Sequence, residues 1–328
     1  MDALLTIFRG LADPSRVRIL LLVRRMELSV GELAAVLGQS QPRVSRHIRI
    51  LADAGLVRRS KEGAWVFVQL GDTAVTGPVL AAIDALAPDV GAADQAMLAQ
   101  VRAERSAAAD AWFAAHAADW DRERSLHIAD SAIEAAIVAA LIGDDAENVG
   151  ALIGHADLGS LVDVGTGTGR MIELLGRHAS AALGIDRSPE MLRLARGRIE
   201  ASGLPYAQVR HGDMYALPKA DGSVDTVVLH QVLHFADDPA AVIAESARVL
   251  APGGRLLVVD FMPHGREELR TQQRHVRLGF GDGQVIDWMR DARLDAVVAA
   301  QLPAPDALGV TLWLGTRAGG TNLERKAA

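Results

Sequence analysis

Apolar positions in the first fifty residues recur three and four apart, the spacing of one helical face. Leu4, Leu5, Phe8 and Leu11 share such a face over Asp2–Leu11, and Val17, Ile19, Leu20, Leu21 and Val23 mark a second helix opening at Pro14. Ser29 followed by Glu32 forms a capping box that starts a third helix, Val30–Leu37, ended by Gly38. A fourth begins near Ser40, with Pro42 in its first turn, where a missing N–H costs nothing. Val44, Ile48 and Leu51 make its buried stripe, Arg43, Ser45, Arg46 and Arg49 project elsewhere, and Gly55 ends it. The period then changes to that of strands, Leu56–Ser60 and Trp65–Leu70, around the turn Lys61-Glu62-Gly63-Ala64.

Beyond the hairpin, Ala-rich stretches predict helices over Thr76–Leu86 and from about Ala92 to Ile128, with Pro88 and Gly91 between them, then Ala129–Gly143. Short apolar runs alternating with helical patterns follow. Leu161–Val164, Ala182–Ile185, Ala207–Arg210, Val224–Leu229 and Leu256–Asp260 read as strands, with a helix over Pro239–Leu250. Ala296–Gln301 and Gly309–Gly315 read as a final antiparallel pair, and the tail from Thr316 as frayed. Strand–helix alternation of this kind predicts an α/β fold on a parallel sheet. The expected organisation is a helix-and-hairpin domain over 1–72, a helical connector over 73–145, an α/β domain over 146–316 and a flexible tail over 317–328.

Charge sharpens that division. The 328-residue chain has a formal net charge of −7, but residues 1–72 carry +4 and the remainder −11. A basic module on an acidic body points to nucleic acid for the first. The chain is 50% hydrophobic with only 4% aromatic residues, so its cores are aliphatic. It has no cysteine, which excludes disulfides and thiolate metal sites. Met1–Gly10 carries Asp2 and no long apolar core, so no signal peptide is expected. The run Ala135–Ile142 is too short to span a bilayer, and a cytoplasmic protein without membrane contact is expected.

The fourth helix with its arginines, tightly joined to the third and followed by a basic hairpin, reads as a winged helix-turn-helix. The helix would enter the major groove of double-stranded DNA, with Arg58, Arg59 and Lys61 of the wing on phosphate. The runs Leu33–Leu37, Ser40–His47 and Ala54-Gly55-Leu56-Val57 resemble the ArsR/SmtB repressor family. The resemblance covers about Leu4 to Leu70 and implies a homodimer on a roughly palindromic operator. It points to Gln41, Arg43, Ser45, Arg46, His47 and Arg49 as DNA-contacting residues. Many members sense metals through a Cys-x-Cys on the third helix. Ser29 and Gly31 stand there instead, and Asp72–Leu86 has no histidine, so no metal is expected at either site.

The second half is organised around Leu161-Val162-Asp163-Val164-Gly165-Thr166-Gly167-Thr168-Gly169, a strand, a glycine turn and the start of a helix. The glycines let the backbone approach a ligand and aim N–H groups at it, and their G-x-G-x-G spacing differs from that of dinucleotide folds. Asp186, about 20 residues past the first glycine, is placed to accept two ribose hydroxyls. In Gly212-Asp213-Met214 the carboxylate can accept from an exocyclic amine while Met214 packs on a ring. These residues, with Pro252-Gly253-Gly254 before a further strand, resemble the class I S-adenosylmethionine (SAM) methyltransferases over roughly Ser160 to Gly315. The resemblance implies a seven-stranded Rossmann-like domain binding SAM or S-adenosylhomocysteine (SAH). It nominates Asp163, Gly165, Thr166, Gly167, Gly169, Asp186, Arg187, Gly212, Asp213, Met214 and His230 as cofactor-binding residues, and Trp120 from an aromatic lid.

Val224–Leu229 delivers His230, Gln231 and His234 to the carboxyl edge of the sheet. A histidine there can serve as an acid–base group, and for His234 packing is the stronger expectation. In the stretch Phe261–Phe280, Arg266, Arg270, Arg274 and Arg277 share a face at helical spacing, suited to an anion or to solvent. Both halves together resemble ArsR-type regulators fused to a methyltransferase-like domain, some of which respond to SAH in methionine-cycle control. A ligand-responsive transcriptional regulator is the first expectation, and an active methyltransferase on a small acceptor the second. Arsenite is disfavoured as that acceptor, because a chain without cysteine supplies no thiolates.

Overall fold

The structure, a computed structural model, describes residues 2–25, 28–62, 65–87, 93–101, 103, 130–143, 158–304 and 307–319. It divides into two compact units, Met1–Ala108 with Gly265–Glu267, and the remainder of the chain.

In the first unit the expected helices form at Asp2–Leu11, Pro14–Val23, Val30–Leu37 and Gln41–Asp53. Their ends are set by side chains. Asp13 accepts the Ser15 and Arg16 N–H groups, and Ser29 and Glu32 complete a reciprocal capping box. Gly38 closes the third helix in the left-handed conformation, at φ 64°. Ile19, Leu20, Leu33, Val44, Ile48, Leu51 and Leu56 form the buried centre. A three-stranded antiparallel sheet completes the unit in the order β1 (Leu28–Ser29), β3 (Trp65–Leu70), β2 (Val57–Glu62). β1 has two residues, too few to show alternation, and exists because Leu28 and Ser29 pair with Val68 and Phe67. The next helix starts at Thr73 rather than Thr76, since the Asp72 carboxylate caps it by accepting the Ala74 N–H. Arg18 holds Asp94 with two bonds of 2.8 and 2.6 Å, tying the Pro14–Val23 helix to helical residues 93–101.

The second unit is built on a seven-stranded sheet in the order β6 (Ala207–His211), β5 (Ala181–Asp186), β4 (Ser160–Val164), β7 (Val224–His230), β8 (Leu250–Phe261), β10 (Val310–Arg317), β9 (Leu294–Leu302). The first five strands run parallel, and β10 pairs antiparallel with both β8 and β9. Near-continuous aliphatic strands follow from burial on both faces. One layer gathers Val162, Val164, Val227, Leu229, Leu256 and Val258 against the Pro239–Val249 and Asp282–Asp291 helices. The other gathers Leu161, Val228, Leu257 and Val259 against Asp130–Ile142 and Arg170–Leu175. This is the expected α/β architecture. β8 is longer than the apolar run Leu256–Asp260 suggests, taking in Pro252-Gly253-Gly254 at its start.

The arginine stretch departs from expectation. A helix covers only Glu268–Gln272, after which the backbone reverses through Arg274 at φ 59°. The four arginines therefore share no helical face, and Arg277 is 1% exposed. Most of the Ala-rich run 92–128 lies outside the described residues. Among the described residues, no helix is long and apolar enough to cross a membrane.

Candidate functional site

β4 ends in the glycine turn. Gly165, Gly167 and Gly169 all adopt positive φ (71°, 52° and 83°), so each position favours a residue without Cβ. At Gly165 the need is also spatial, because a Cβ would sit 2.3 Å from Val232 Cγ2. Thr166 Oγ1 donates to Asp163 Oδ2 at 2.6 Å, which anchors the turn to the strand that launches it. Gly184 on β5 leaves room for Thr166, whose Oγ1 would lie 2.7 Å from an added Cβ.

The neighbouring strand supplies the carboxylate facing this turn. Asp186 closes β5, its Oδ2 accepting the Gly167 N–H at 2.8 Å and its Oδ1 the Ser188 N–H at 2.9 Å. Burial pushes its carboxyl above the ordinary range, opposed by those N–H bonds and by Arg187. Each oxygen keeps further lone-pair capacity, so both can still accept a vicinal diol. Past β6, the Gly212 N–H donates to the Asp186 carbonyl at 3.0 Å, and Asp213 follows, exposed and accepting the Tyr215 N–H at 3.0 Å. Met214 is half-buried beside it. The strand ends thus bring Asp163, Gly165, Thr166, Gly167, Gly169, Asp186, Arg187, Gly212, Asp213, Met214 and His230 to one edge. Trp120 lies outside the described residues.

Beyond β4 on that edge, β7 ends at His230 and hands over to Gln231, a buried residue at φ 51°. His234 is buried as well. Its Nδ1 lies 2.7 Å from Asp260 Oδ1 on β8, and its backbone N–H donates to Asp260 Oδ2 at 3.1 Å. The Phe261 N–H also donates to Asp260, at 2.8 Å. His234 packs against Phe235, Phe261 and His275, with ring centroids 4.1 to 4.9 Å away. Sequence reasoning pointed to His234 and missed its partner, since nothing marks Asp260 beyond its place at a strand end. Among the described residues no group of three or more histidine, cysteine or acidic side chains could hold a metal ion.

In the first unit, Gln41, Arg43, Ser45, Arg46 and Arg49 are exposed along the fourth helix, and Arg58, Arg59 and Lys61 are exposed on β2. His47 stands apart from them. It is 8% exposed and sits with Val44, Ile48 and Leu51 on the buried side. Neither ring nitrogen has a hydrogen-bond partner among the described residues, and burial pushes its pKa down.

Residues 13–59 match the family model for bacterial regulatory proteins of the arsR family, and residues 162–258 match that for a methyltransferase domain. A demethylmenaquinone methyltransferase of Thermus thermophilus is 42% identical over 106 residues, 31% of this chain and 47% of that protein. An uncharacterized 37.1 kDa protein of transposon TN4556 in Streptomyces fradiae is 42% identical over 102 residues, 30% of this chain and 29% of that one. An arsenite methyltransferase of Aquipseudomonas alcaligenes is 32% identical over 139 residues, covering 39% and 40%. In each case the chain spans less than two thirds of the relative's length.

Proposed function

From an arsR-family helix-turn-helix and a methyltransferase domain on one chain, we propose a transcriptional regulator that binds operator DNA and uses SAM or SAH as its effector. The observation that carries the reading is the pairing of Asp186 with the Gly165–Gly169 turn. A two-oxygen acceptor stands beside a turn whose three glycines adopt positive φ, which suits a ribose and the chain leading from it. Asp213 would take the adenine amine, and Asp186 the ribose hydroxyls. When bound, SAM supplies an electrophilic methyl group, and the protein's own contribution is to orient it.

On the DNA side, Arg43, Arg46 and Arg49 would meet the major groove, with Arg58, Arg59 and Lys61 on phosphate. A homodimer is part of this proposal. Leu4, Leu5 and Phe8 on the first helix are 50%, 42% and 60% exposed, an apolar stripe that a second copy would cover. Ligand would act by differential affinity for the DNA-competent dimer, and about 1.4 kcal/mol of coupling shifts operator affinity tenfold.

Calorimetric titration of the purified chain with SAM and SAH, with and without operator-containing DNA, tests this. A reciprocal shift between ligand and DNA affinity is expected, and Asp186→Ala should weaken the ligand and erase the shift. Ligand binding with no effect on DNA would sink the effector role. It would leave the second reading, a methyltransferase on a small acceptor, supported by the methyltransferase activities of the relatives. Among these arsenite fits least, since the 328 residues include no cysteine.

A further inference from the structure

The helix that follows the glycine turn opens on a misplaced charge. Arg170 is its first residue, directly after Gly169, at the end where the helix dipole is positive and disfavours a cation. Two carboxylates offset this. Arg170 Nη1 donates to Glu173 Oε2 at 2.6 Å within the same helix, while its Nε and Nη2 donate to the two oxygens of Glu134, both at 2.7 Å. Glu134 lies on the Asp130–Ile142 helix, 36 positions away in sequence. Two parallel bonds fix direction as well as distance, so neither partner swings without breaking one of them.

The turn is held from a second helix too. Arg198, on the Pro189–Ser202 helix, donates to Thr168 Oγ1 at 3.0 Å, and its Nε lies 3.7 Å from the same Glu173 oxygen. Thr168 and Arg170 flank Gly169, so charged groups grip the end of the turn on both sides. The Asp130–Ile142 helix does not need Glu134 to stay on the sheet. Its Ile133, Ile137 and Leu141 are buried in the same apolar layer as Leu161, Met171 and Ile172. What Glu134 adds is a direct link from that helix to the turn. That helix is also the first described element of the second unit, which the chain enters at Ala109, and the exposed arginines of the fourth helix belong to the first unit.

We infer that Glu134 is a positioning residue which, through Arg170, passes occupancy of the glycine turn to the helix by which the chain enters the second unit. The inference rests on the effector reading above and names its first step. A ligand lying on the turn restrains the backbone at Gly169, Arg170 is the next residue, and its paired bonds hand that restraint to Glu134. Binding that orders one element can order another in this way without a large displacement.

Hydrogen exchange on the full chain tests this, with SAH or SAM at a saturation set by calorimetry. In the parent, ligand should slow exchange of the amides over 134–142 about fivefold or more. Glu134→Gln keeps the shape and removes the charge. It should bind both ligands within about threefold of the parent, lose the slowing over 134–142 and no longer shift operator affinity. Glu173→Gln removes the other carboxylate, inside Arg170's own helix, and should retain the slowing. If Glu134→Gln melts early, Glu134→Asp keeps the charge on a shorter stem, gives up the paired geometry, and should show a reduced slowing. Slowing that persists in Glu134→Gln, or that Glu173→Gln abolishes equally, would overturn the inference and make the pair a local brace. So would binding to the parent with no slowing over 134–142. Slowing in the parent without a shift in operator affinity would sink the effector role and leave the link to the helix standing. Failure of both ligands to bind would sink the cofactor reading itself, and the inference with it.

Discussion

Two stretches of this chain carry arginines at similar density, Arg43–Arg49 and Arg266–Arg277, and they fold in different ways. The first stays a regular helix with its arginines exposed. The second is helical only over Glu268–Gln272, reverses at Arg274, and buries Arg277 completely. The difference lies in the apolar residues between the charges. Val44, Ile48 and Leu51 repeat at helical spacing and hold one face against the core, which leaves the arginines the other. In the second stretch Leu269 is the only buried aliphatic within the short helix, and the chain is organised by distant polar groups instead. The Val276 and Arg277 N–H groups donate to the His234 carbonyl, and the Arg277 guanidinium donates to the Asp237 carbonyl at 3.0 Å. Arg270 donates to the Val276 carbonyl and closes the loop on itself. A row of charges is a binding face only where something else settles which way it points.

That contrast can be broken by experiment. The largest effect is expected from Asp260→Ala, which strips His234 of its side-chain and backbone acceptor and loosens the carbonyl on which the second stretch rests. Urea denaturation should show a loss of about 3 kcal/mol, typical of breaking a buried hydrogen-bonded pair. Arg277→Ala should cost somewhat less, roughly 2 kcal/mol in the same measurement, and leave DNA binding unchanged. A neutral result would put Arg277 back among solvated charges. Arg46→Ala should do the reverse. Its stability should stay within about 0.5 kcal/mol of the parent, while operator affinity in a gel-shift or fluorescence titration falls about tenfold.

The smallest effect concerns His47, which shares a helix with those arginines yet faces inward. Burial holds its folded pKa below the 6.5 of an unperturbed histidine, so the unfolded chain takes up the proton first. The first unit should therefore lose stability as pH falls below about 6.5, and above that value this contribution is fully present. His47→Leu should flatten the acid limb of a stability–pH curve. An unchanged limb would assign the titration to another group.

Much of the architecture is legible in local sequence patterns. The four helices of the first unit, the capping box at Ser29 and the alternation of strand and helix in the second unit are local patterns. So is the glycine turn, because positive φ at Gly165, Gly167 and Gly169 is a property of the residue type. Readings that failed or fell short share a cause. β1 exists only because β3 is beside it, and β8 runs past Leu256–Asp260 because β7 pairs with Leu250 and Arg255 and β10 with Arg255 and Phe261. His47 looks like one more polar residue on a basic helix until the first unit packs around it. The carboxyl edge of the parallel strands divides the same way, with Asp186 and Asp213 visible as carboxylates after apolar runs. Gln231 is placed at that edge by the apolar run before it, but its burial and its φ of 51° are seen only in the structure.

Periodicity, caps and glycine spacing depend on neighbours within a few residues, so the chain alone prescribed most of its helices and strands and the turn between β4 and the following helix. The direction of an arginine row and the partner of a buried histidine depend on residues tens of positions away. Those were settled only when β7, β8 and the loop after β8 came together, because a buried polar group is defined by what surrounds it.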